Sequence, residues 1–405
     1  MTQQRIIVVG GGPVGVVTAL ACAQRGFAVT LLEAQTEVDR SPRAATTHPS
    51  TLEMIASVGL IDEFVKVGLV ARYFDFWDQT SHRLVARFDH DVLRDDTAYP
   101  FVVQTEQHKL VDIGLRKLAQ YPDVEVRFGA AVTALEQDEQ GVTVSIESRD
   151  GGAEKLRGTF VAGADGGRST VRKLLNIEFE GYTWPERFLV LTTSFDFEKA
   201  MGCSFRSYLA DPVEWGNLFK IAGDDLKGRW RAVFPAPVDV DDDTVMSDTE
   251  AQRRLNRIVD LGGAPYELLH RNLYRVHQRV AASFRQHRVF LAGDASHVNN
   301  PIGGLGLNCG IHDALELAQT FAECANGDAR APVLDRYERR RRTLNVEFVQ
   351  QQTVANKKRL EEKDPEQRAK HLDELAQTAA DTARQRAFLM RTSLLQSVAQ
   401  GRSIA

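Results

Sequence analysis

The segment that most constrains the fold of this chain is "VVGGGPVGVV", residues 8–17. It places Gly10, Gly12 and Gly15 in a G-x-G-x-x-G pattern, after an apolar run typical of a buried strand and at the start of a run with helical spacing. The first glycine allows a tight turn, the second lets a pyrophosphate approach the backbone, and the third lets the helix pack on the strand. The segment therefore predicts a dinucleotide-binding βαβ unit, with a plain glycine-rich turn as the alternative.

Glu33 supports this interpretation because it ends the next predicted strand, "AVTLLE". An acidic residue about 20 positions after the glycines is placed to accept hydrogen bonds from ribose hydroxyl groups. The unpaired N–H groups at the start of the helix would attract the phosphates. The pattern does not distinguish NAD from FAD.

Length and composition indicate the number of domains and argue against several classes of protein. The chain has 405 residues, which suggests two or three domains. Its net charge of -5 gives no indication of a nucleic-acid partner, and no stretch has the roughly 18 to 20 apolar residues of a membrane span. The four cysteines are widely spaced without a CxxC pair, so we expect no disulfide framework, no metal site and a cytoplasmic location.

Three further segments carry a resemblance. "SPRAATTHPSTLEMI" (41–55), "GADGGRSTVRKLL" (163–175) and "GDASHVNNPIGGLGLNCGIHDALEL" (293–317) follow the glycine pattern along the chain. Together these segments resemble the group A flavoprotein aromatic hydroxylases, which include para-hydroxybenzoate hydroxylase and the phenol hydroxylases. The family order is kept from residue 10 to residue 317. Four separated matches in one order are far more specific than any single glycine motif.

The resemblance implies an α/β fold in which a Rossmann-like FAD-binding domain contains an inserted β-sheet substrate domain and is followed by a helical region. The FAD-binding parts would be residues 1–72, 99–180 and 274–330. The substrate domain would be residues 73–98 and 181–273, and the helical C-terminal region residues 331–405. We expect that last region to pack on the FAD-binding domain and to supply a homodimer contact.

The resemblance also assigns cofactor-binding roles. The ADP half of FAD would be held by the glycines and the acid already named, and the pyrophosphate by Arg43. Asp294 would bind the ribityl hydroxyl groups, and small residues after it would let the backbone approach the flavin ring. The full set of implied FAD-binding residues is Gly10, Gly12, Gly15, Glu33, Arg43, Gln104, Asp165, Asp294, Gly304, Leu307 and Asn308.

Arg168 and Arg172 are candidates for binding the phosphates of NADPH or NADH, with an ordinary solvated basic helix start as the alternative. His297 lies in the same loop as Asp294. We interpret it as a structural residue of that loop rather than as a catalytic base.

Substrate contacts are expected from two places. Asn300 and Pro301 stand where the family pattern has two prolines, the first of which has its carbonyl near the reacting hydroxyl group. Asn300 keeps a carbonyl but adds an amide side chain, so this loop departs from its relatives at Asn300. The aromatic-rich strands of residues 187–235 supply further pocket candidates, for which an ordinary sheet core is the alternative. These candidates are Tyr208, Trp215, Phe219 and Arg231.

The activity that the resemblance implies is a monooxygenase reaction. NAD(P)H would reduce FAD, O₂ would add to the reduced flavin, and the resulting C4a-hydroperoxide would hydroxylate a small phenolic or heteroaromatic substrate. One alternative is a flavin-dependent halogenase, although "GYTWPE" (181–186) does not reproduce the G-W-x-W-x-I-P stretch of those enzymes. The other is a non-enzymatic dinucleotide-binding redox sensor.

Overall fold

A computed structural model of the chain describes residues 4–41, 43, 45–325 and 331–404. The described residues form fourteen α-helices, with single turns of 3-10 helix at His90–Leu93 and Gly293–Ala295 and a π-helical turn at Asn345–Gln350. The α-helices are α1 (Pro13–Ala23), α2 (Pro49–Ser57), α3 (Ile61–Lys66), α4 (Gln107–Leu118), α5 (Thr170–Leu174), α6 (Phe197–Met201), α7 (Asp242–Val245), α8 (Asp248–Ile258), α9 (Leu305–Glu323), α10 (Ala331–Leu344), α11 (Gln351–Leu360), α12 (Pro365–Ala380), α13 (Thr382–Thr392) and α14 (Leu395–Ser403).

The same residues form twenty strands in four sheets. The strands are β1 (Arg5–Val9), β2 (Ala28–Glu33), β3 (Thr46–Thr47), β4 (Leu69–Ala71), β5 (Tyr73–Asp78), β6 (Arg83–Asp89), β7 (Val102–Gln104), β8 (Val124–Phe128), β9 (Ala130–Gln137), β10 (Val142–Ser148), β11 (Ala153–Gly158), β12 (Phe160–Gly163), β13 (Phe179–Thr193), β14 (Arg206–Ala210), β15 (Gly216–Ile221), β16 (Arg229–Ala236), β17 (Leu268–Ala281), β18 (Arg285–Gln286), β19 (Val289–Leu291) and β20 (His297–Val298).

The N-terminal βαβ unit lies at the centre of a six-stranded sheet in the order β18-β19-β12-β1-β2-β8. Strands β19, β12, β1, β2 and β8 run parallel, and β18 pairs antiparallel to β19. Helices cover such a sheet on both faces, which is why "RIIVV" and "AVTLLE" are almost continuously apolar. The carboxyl ends of β1 and β12 meet at the glycine loop.

An eight-stranded sheet, in the order β20-β17-β13-β16-β15-β14-β5-β6, forms the second layer of the molecule. Alternate residues of each strand face opposite sides, so two separate apolar clusters form on it. On β14, Tyr208 belongs to one cluster and Leu209 to the other. The first cluster, which we call the substrate-side cluster, also contains Ile302 from the loop before α9 and Leu372, Leu375, Leu389 and Leu395 from the C-terminal helices.

The C-terminal region packs only in part as predicted. We expected it on the FAD-binding domain, where α10 does pack against α9. Helices α12 and α13 instead cover the substrate-side cluster, with the Phe388 ring stacked on Phe88 at 4.3 Å between centroids. The apolar positions of these two helices can be buried only against an apolar surface, and the aromatic face of the eight-stranded sheet provides one.

Two of the predicted domain limits, 180/181 and 273/274, fall inside strands, whereas the 72/73 limit coincides with the start of β5. Strand β13 begins at Phe179, and β17 continues through the predicted 273/274 limit to Ala281. These two long strands pair along most of their length and connect the two layers. No helix among the described residues is long and apolar enough to cross a membrane.

Candidate functional site: a nucleotide cradle beside an aromatic sheet face

The glycine loop after β1 is shaped by close backbone contacts. Gly10 has φ of 110°, and a Cβ atom there would lie 2.3 Å from the carbonyl oxygen of Ala164. A Cβ atom at Gly15 would lie 1.8 Å from the carbonyl oxygen of Gly10. At Gly12, by contrast, a Cβ atom would meet no described protein atom within 4 Å. The first and third glycines are therefore required by the protein's own backbone, whereas the second borders open space.

Helix α1 begins at this open space without a capping side chain. Gly12 is its N-cap, Pro13 follows, and the first turn contains no acidic residue. The N–H groups of the first turn and the positive end of the helix dipole are thus available to an anion. An uncapped helix start next to a side-chain-free position fits the pyrophosphate of a dinucleotide.

Glu33 stands beside this loop, as predicted for a ribose-binding acid. Its Oε2 atom accepts a hydrogen bond from the Gly11 N–H at 2.6 Å, and its Oε1 atom accepts one from the Gln35 N–H at 2.8 Å. These bonds fix the carboxylate at the end of β2, and each oxygen retains a second lone pair for a hydroxyl group.

Arg43 is exposed, and its Nε atom donates to Asp39 at 2.9 Å. Its main-chain carbonyl accepts a hydrogen bond from the Arg231 guanidinium at 2.7 Å, which ties this segment to the eight-stranded sheet. An exposed guanidinium held by an exposed carboxylate is free to exchange partners, since such pairs contribute little. The prediction of a pyrophosphate contact for Arg43 is compatible with this placement.

Gln104 and Asn308 are buried and fix the strand that carries Thr46. The Gln104 side chain accepts from the Thr46 hydroxyl at 2.7 Å, and the Asn308 amide donates to the Thr46 carbonyl at 2.9 Å. The Asn308 Oδ1 atom also accepts from the His48 N–H at 2.8 Å. Both side chains therefore have their partners inside the protein.

The side chains of the segment 163–175 stabilise the loop that this segment forms. Asp165 accepts from the Ser169 hydroxyl at 2.6 Å and from the Val171 N–H at 3.0 Å, and burial raises its pKa. Arg172 is buried and donates to the carbonyls of Ala295 and Gly167 at 2.7 and 2.9 Å. Arg172, predicted to face NAD(P)H, is instead a bridge between the two motif loops, because these inward contacts satisfy its guanidinium.

Of the two arginines proposed for the nicotinamide nucleotide, Arg168 is the exposed one. It lies four residues before Arg172, in the turn that precedes α5. An exposed arginine at this position is free to bind a phosphate group from solvent.

A buried network of charged side chains next to Asp294 fixes the loop at the start of the segment 293–317. His297 and Arg341 bind opposite oxygens of Asp313, at 2.8 and 2.5 Å, and Asp313 also accepts from the Gly293 N–H at 2.9 Å. The pKa of Asp313 is lowered to about 2, because Arg341 and His297 outweigh the effect of burial. His297 thus has the structural position that its sequence context favoured.

Asp294 itself is exposed next to this network. Protein atoms crowded around its carboxyl nevertheless raise its pKa, an effect that the charges of His297 and Arg43 oppose. The residues of this network bind Asp313, and the Asp294 carboxylate has no protein hydrogen bond among the described residues. It is therefore available to the hydroxyl groups of a ligand.

Helix α9 begins like α1, without a capping side chain. Its N-cap is Gly304, which has φ of 67°, and its first turn contains no acidic residue. Gly303 before it has φ of 114°. Leu307 lies within the first turn, where main-chain N–H groups have no helical partner. This second uncapped helix start suits the electron-rich edge of a flavin ring.

Asn300 is not presented to a substrate in the way we predicted. Its side chain is fully buried, and both its main-chain N–H and its amide donate to Gln278 on β17, at 3.1 and 3.3 Å. Gln278 also accepts from the Trp184 indole and donates to Thr353 of α11. The amide turns inward because these partners satisfy it, and Pro301 is the exposed residue of the pair.

The four pocket candidates lie on one face of the eight-stranded sheet. Tyr208 and Trp215 belong to the substrate-side cluster, and Phe219 packs against it. Arg231 pairs directly with Phe219 across β15 and β16, so it lies on the same face. The Tyr208 hydroxyl and the Arg231 Nε atom are buried with no hydrogen-bond partner among the described residues.

One residue of this face was missed by the sequence reasoning. Arg206 is two residues before Tyr208 on β14, pairs with Phe219, and is only 4% exposed. Its guanidinium lies 4.8 Å from the centroid of the Phe74 ring, and its Nε atom has no partner among the described residues. The signal was present, since residues two apart on a strand share a face, but "RSY" alone does not reveal burial.

The two uncapped helix starts, the carboxylate of Asp294 and the aromatic sheet face fit the class of the flavin-dependent aromatic hydroxylases, and the comparisons with known proteins show that class. The chain belongs to the FAD binding domain family, whose model matches residues 3–352.

Particular relatives agree with this assignment. The chain is 36% identical over 395 residues to the para-nitrophenol 4-monooxygenase of Pseudomonas sp. (strain WBC-3), covering 96% of this chain and 95% of that one. It is 34% identical to the 6-hydroxy-3-succinoylpyridine 3-monooxygenase of Pseudomonas putida (strain DSM 28022 / S16), over 90% of both chains. The crystal structure of p-nitrophenol 4-monooxygenase from Pseudomonas putida DLL-E4 superposes with a TM-score of 0.89 at 34% identity, covering 96% and 97% of the two chains.

These comparisons confirm the predicted fold class, the FAD cofactor and the class of enzyme. The protein is an FAD-dependent aromatic monooxygenase with NAD(P)H as co-substrate, acting on an aromatic substrate with O₂. They fit this interpretation and not the halogenase alternative. Among the described residues, no group of three or more His, Cys, Asp or Glu side chains could hold a metal ion.

Proposed function

We propose that this monooxygenase hydroxylates a small phenol, bound between the substrate-side cluster and the loop before α9. The observation that carries the proposal is the combination of aromatic walls with buried polar groups that have no protein partner. Phe74, Phe76 and Phe219 surround Tyr208, with ring centroids 4.9 to 6.3 Å from its ring. An apolar pocket with few unpaired polar groups matches an aromatic ring that carries a polar substituent.

The similarity to an enzyme named for para-nitrophenol supports the phenol. The second relative is named for a hydroxylated pyridine, so hydroxypyridines are the alternative substrates to be compared in the same assay. Both compounds are rings with a hydroxyl group, which is the feature the proposal requires.

For the cofactor, we propose that the glycine loop and the start of α1 hold the pyrophosphate, with Arg43 closing over it. Glu33 would bind the ribose and Asp294 the ribityl hydroxyl groups. The N–H groups in the first turn of α9, near Leu307, would face the flavin ring. When bound, FAD supplies the activated oxygen that is added to the aromatic ring.

The protein's own contribution is to orient the ring and to exclude water. Helices α12 and α13 close the substrate-side cluster from outside, and Ile302 joins it from the loop before α9. A dry pocket prevents the reactive oxygen from being lost to water and strengthens polar contacts to the substrate. For NAD(P)H, we retain Arg168 as the phosphate-binding candidate.

The test is a turnover assay on the purified protein with bound FAD. We expect NAD(P)H oxidation to rise when 4-nitrophenol or a related phenol is added. The product should contain one oxygen atom from O₂, either in place of a ring hydrogen or in place of a ring substituent that is released. If a hydroxypyridine stimulates oxidation and phenols do not, the phenol is replaced by the heteroaromatic class. Fast NAD(P)H oxidation that no aromatic compound changes would contradict the proposal.

We retain the proposals of a cytoplasmic location and a homodimer contact through the C-terminal region. The four cysteines are buried and unpaired, which suits a reducing compartment. Fractionation of the native cells tests the first proposal. Elution at monomer size from a sizing column at micromolar concentration would remove the second.

A further inference from the structure

The side-chain amide of Gln278 connects four segments of the chain. Gln278 is 5% exposed on β17, and three donors converge on its Oε1 atom. They are the main-chain N–H of Asn300 at 3.1 Å, the Asn300 side-chain amide at 3.3 Å and the Trp184 indole at 3.3 Å. Its Nε2 atom donates to the Thr353 hydroxyl at 3.0 Å and to the Gln350 side chain. Both ends of this buried amide therefore have partners, as buried polar groups require.

These partners also fix the direction in which the amide of Gln278 points. The Trp184 indole N–H and the Asn300 main-chain N–H can only donate, so the oxygen of the amide must face them. Its nitrogen then faces α11, where the Thr353 hydroxyl accepts from it and donates to the Val349 carbonyl at 2.8 Å. An apolar side chain at position 278 would leave both N–H groups buried without an acceptor, which is unfavourable.

Helix α11 and the π-helical turn before it contact the same loop on both sides of Asn300. Gln350 donates to the Val298 carbonyl at 3.3 Å, and Asn356 donates to the Ile302 carbonyl at 3.4 Å. Positions 350, 353 and 356 are three residues apart, so they share one face of the helix. Together with the glutamine amide, these contacts fix the loop at three successive points.

The fixed loop joins the two parts of the proposed site. Ile302 belongs to the substrate-side cluster, and Gly304 is the N-cap of α9, whose first turn is proposed to face the flavin ring. The Asn300 carbonyl accepts from the Asn299 amide at 2.6 Å, and the Asn300 Oδ1 atom accepts from the Ile302 N–H at 3.1 Å. A rotation of Asn300 would therefore displace main chain on both the substrate side and the flavin side.

We propose that Gln278 is a positioning residue for the hydroxylation. Through Asn300 it holds the segment 298–304 against α11, and it thereby sets where the substrate ring lies relative to the flavin. This inference rests on the proposed function, since it concerns the geometry of that same site. A displacement of about 1 Å at a reacting centre can slow a reaction about a hundredfold. When the ring is misplaced, the two electrons that NAD(P)H gives to O₂ leave with two protons as hydrogen peroxide, and the ring is returned unchanged.

The experiment compares variants of the FAD-loaded protein. Gln278→Met removes the amide at similar length, Asn300→Ala removes the side chain that contacts it, and a double variant combines the two. Gln385→Met is the matched control, because Gln385 is also a buried glutamine with two hydrogen-bonded ends and is 7% exposed. It accepts from the Asp89 N–H at 2.6 Å and donates to the Ala379 carbonyl at 2.8 Å, so its partners lie in β6 and α12 rather than in the loop.

The first measurement is hydrogen exchange of the segment 298–304, followed by mass spectrometry. We expect Gln278→Met to accelerate this exchange about tenfold or more, because it removes two hydrogen bonds to Asn300 that contribute about 1 kcal/mol each. Asn300→Ala should act in the same direction. Gln385→Met should leave the exchange of this segment as it is in the wild type.

The second measurement is the amount of product and of hydrogen peroxide formed per NAD(P)H oxidised, with 4-nitrophenol as substrate. In Gln278→Met we expect product per NAD(P)H to fall about tenfold, with hydrogen peroxide making up the difference. The KM for 4-nitrophenol should change by less than about threefold, because the aromatic walls of the pocket are intact. The double variant should lose less than the product of the two single losses, because both changes act on one contact.

Three results would overturn the inference. They are unchanged exchange of the segment 298–304 in Gln278→Met, equal changes in Gln385→Met, and single losses that multiply in the double variant. If Gln278→Met does not fold, Thr353→Val removes one acceptor of the amide at nearly constant shape and should give smaller changes in the same direction. Unchanged exchange in this variant would then contradict the inference.

Failure of this inference differs from failure of the proposed function. The exchange measurement needs no turnover, so a wild type whose NAD(P)H oxidation no aromatic compound stimulates identifies a wrong function. A wild type that hydroxylates 4-nitrophenol, with the same product yield in Gln278→Met, identifies a wrong role for Gln278.

Discussion

The glycines of the loop after β1 are required for different reasons. Gly12 borders the proposed pyrophosphate site, whereas Gly15 contacts the protein's own backbone, and alanine variants can separate these two effects. A methyl group at Gly12 meets no described protein atom, so Gly12→Ala should leave the thermal stability of the FAD-free protein unchanged. The same methyl group would stand where the pyrophosphate approaches the backbone. We therefore expect at least a tenfold loss of FAD affinity, measured by flavin fluorescence titration.

Gly15→Ala is the comparison for that experiment. Its Cβ atom would lie 1.8 Å from the Gly10 carbonyl oxygen, so this variant should lower the stability of the FAD-free protein itself. Equal FAD binding by Gly12→Ala and the wild type would contradict the assignment of the pyrophosphate site.

Asp313 gives a second prediction at this scale. Asp313→Asn leaves His297 and Arg341 without their common anion, so we expect a loss of about 3 to 5 kcal/mol in the free energy of unfolding. Urea unfolding at neutral pH measures this loss. A variant as stable as the wild type would show that the network does not hold the loop.

The pH dependence of Asp313 has a defined sign. Its pKa is lowered from 3.8 to about 2 in the folded protein, so it binds fewer protons than in the unfolded chain. The stabilisation is complete above about pH 4 and is lost as the pH falls towards 2. The difference in stability between wild type and Asp313→Asn should shrink over that range.

The sequence predicts single residues well where the backbone dictates the residue type. Gly10 and Gly15 are examples, because only glycine fits their contacts. It fails for side chains whose direction depends on distant partners. Asn300 turns towards Gln278 and Arg172 towards Ala295, contacts that no local pattern encodes. The proposed cofactor and substrate contacts remain predictions.

At the scale of elements, the C-terminal helices are part of the site's wall. Leu389 of α13 is buried in the substrate-side cluster. Leu389→Ala should therefore cost about 2 to 5 kcal/mol in the free energy of unfolding. Val213, which is 80% exposed, provides the control, since Val213→Ala should change stability by less than about 0.5 kcal/mol. Chemical denaturation measures the free energy of unfolding of both variants. Equal values for Leu389→Ala and Val213→Ala would contradict this packing.

Helices and strands with a strong apolar pattern could be predicted from the sequence. The residues that their side chains contact in the folded protein could not. The first βαβ unit agrees with its pattern to within two or three residues, because its strands and helix are almost wholly apolar. The arginine run in α10, taken by itself, favours a solvated helix face. Instead, Arg341 reaches Asp313, and Arg342 donates to the Ala281 carbonyl. Charge patterning alone cannot reveal which arginines have buried partners.

At the scale of the whole molecule, the two sheets together form the proposed site, because each provides a different part of it. The six-stranded sheet provides the glycine cradle, and the eight-stranded sheet provides an aromatic face with a buried positive charge. The loop from Gly293 to Gly304 connects them, anchored by Asp313 on one side and joined to His48 on the other. Four family motifs predicted the first layer, but strand sequences alone did not show which face of the second layer was used.

The most direct test of the central claim is the origin of the oxygen in the product. The FAD-loaded protein is incubated with NAD(P)H, 4-nitrophenol and ¹⁸O₂, and the aromatic product is analysed by mass spectrometry. We predict a hydroxylated product that carries one ¹⁸O atom per turnover. Consumption of NAD(P)H that yields only hydrogen peroxide, with every phenol and hydroxypyridine supplied returned unchanged, would contradict the account.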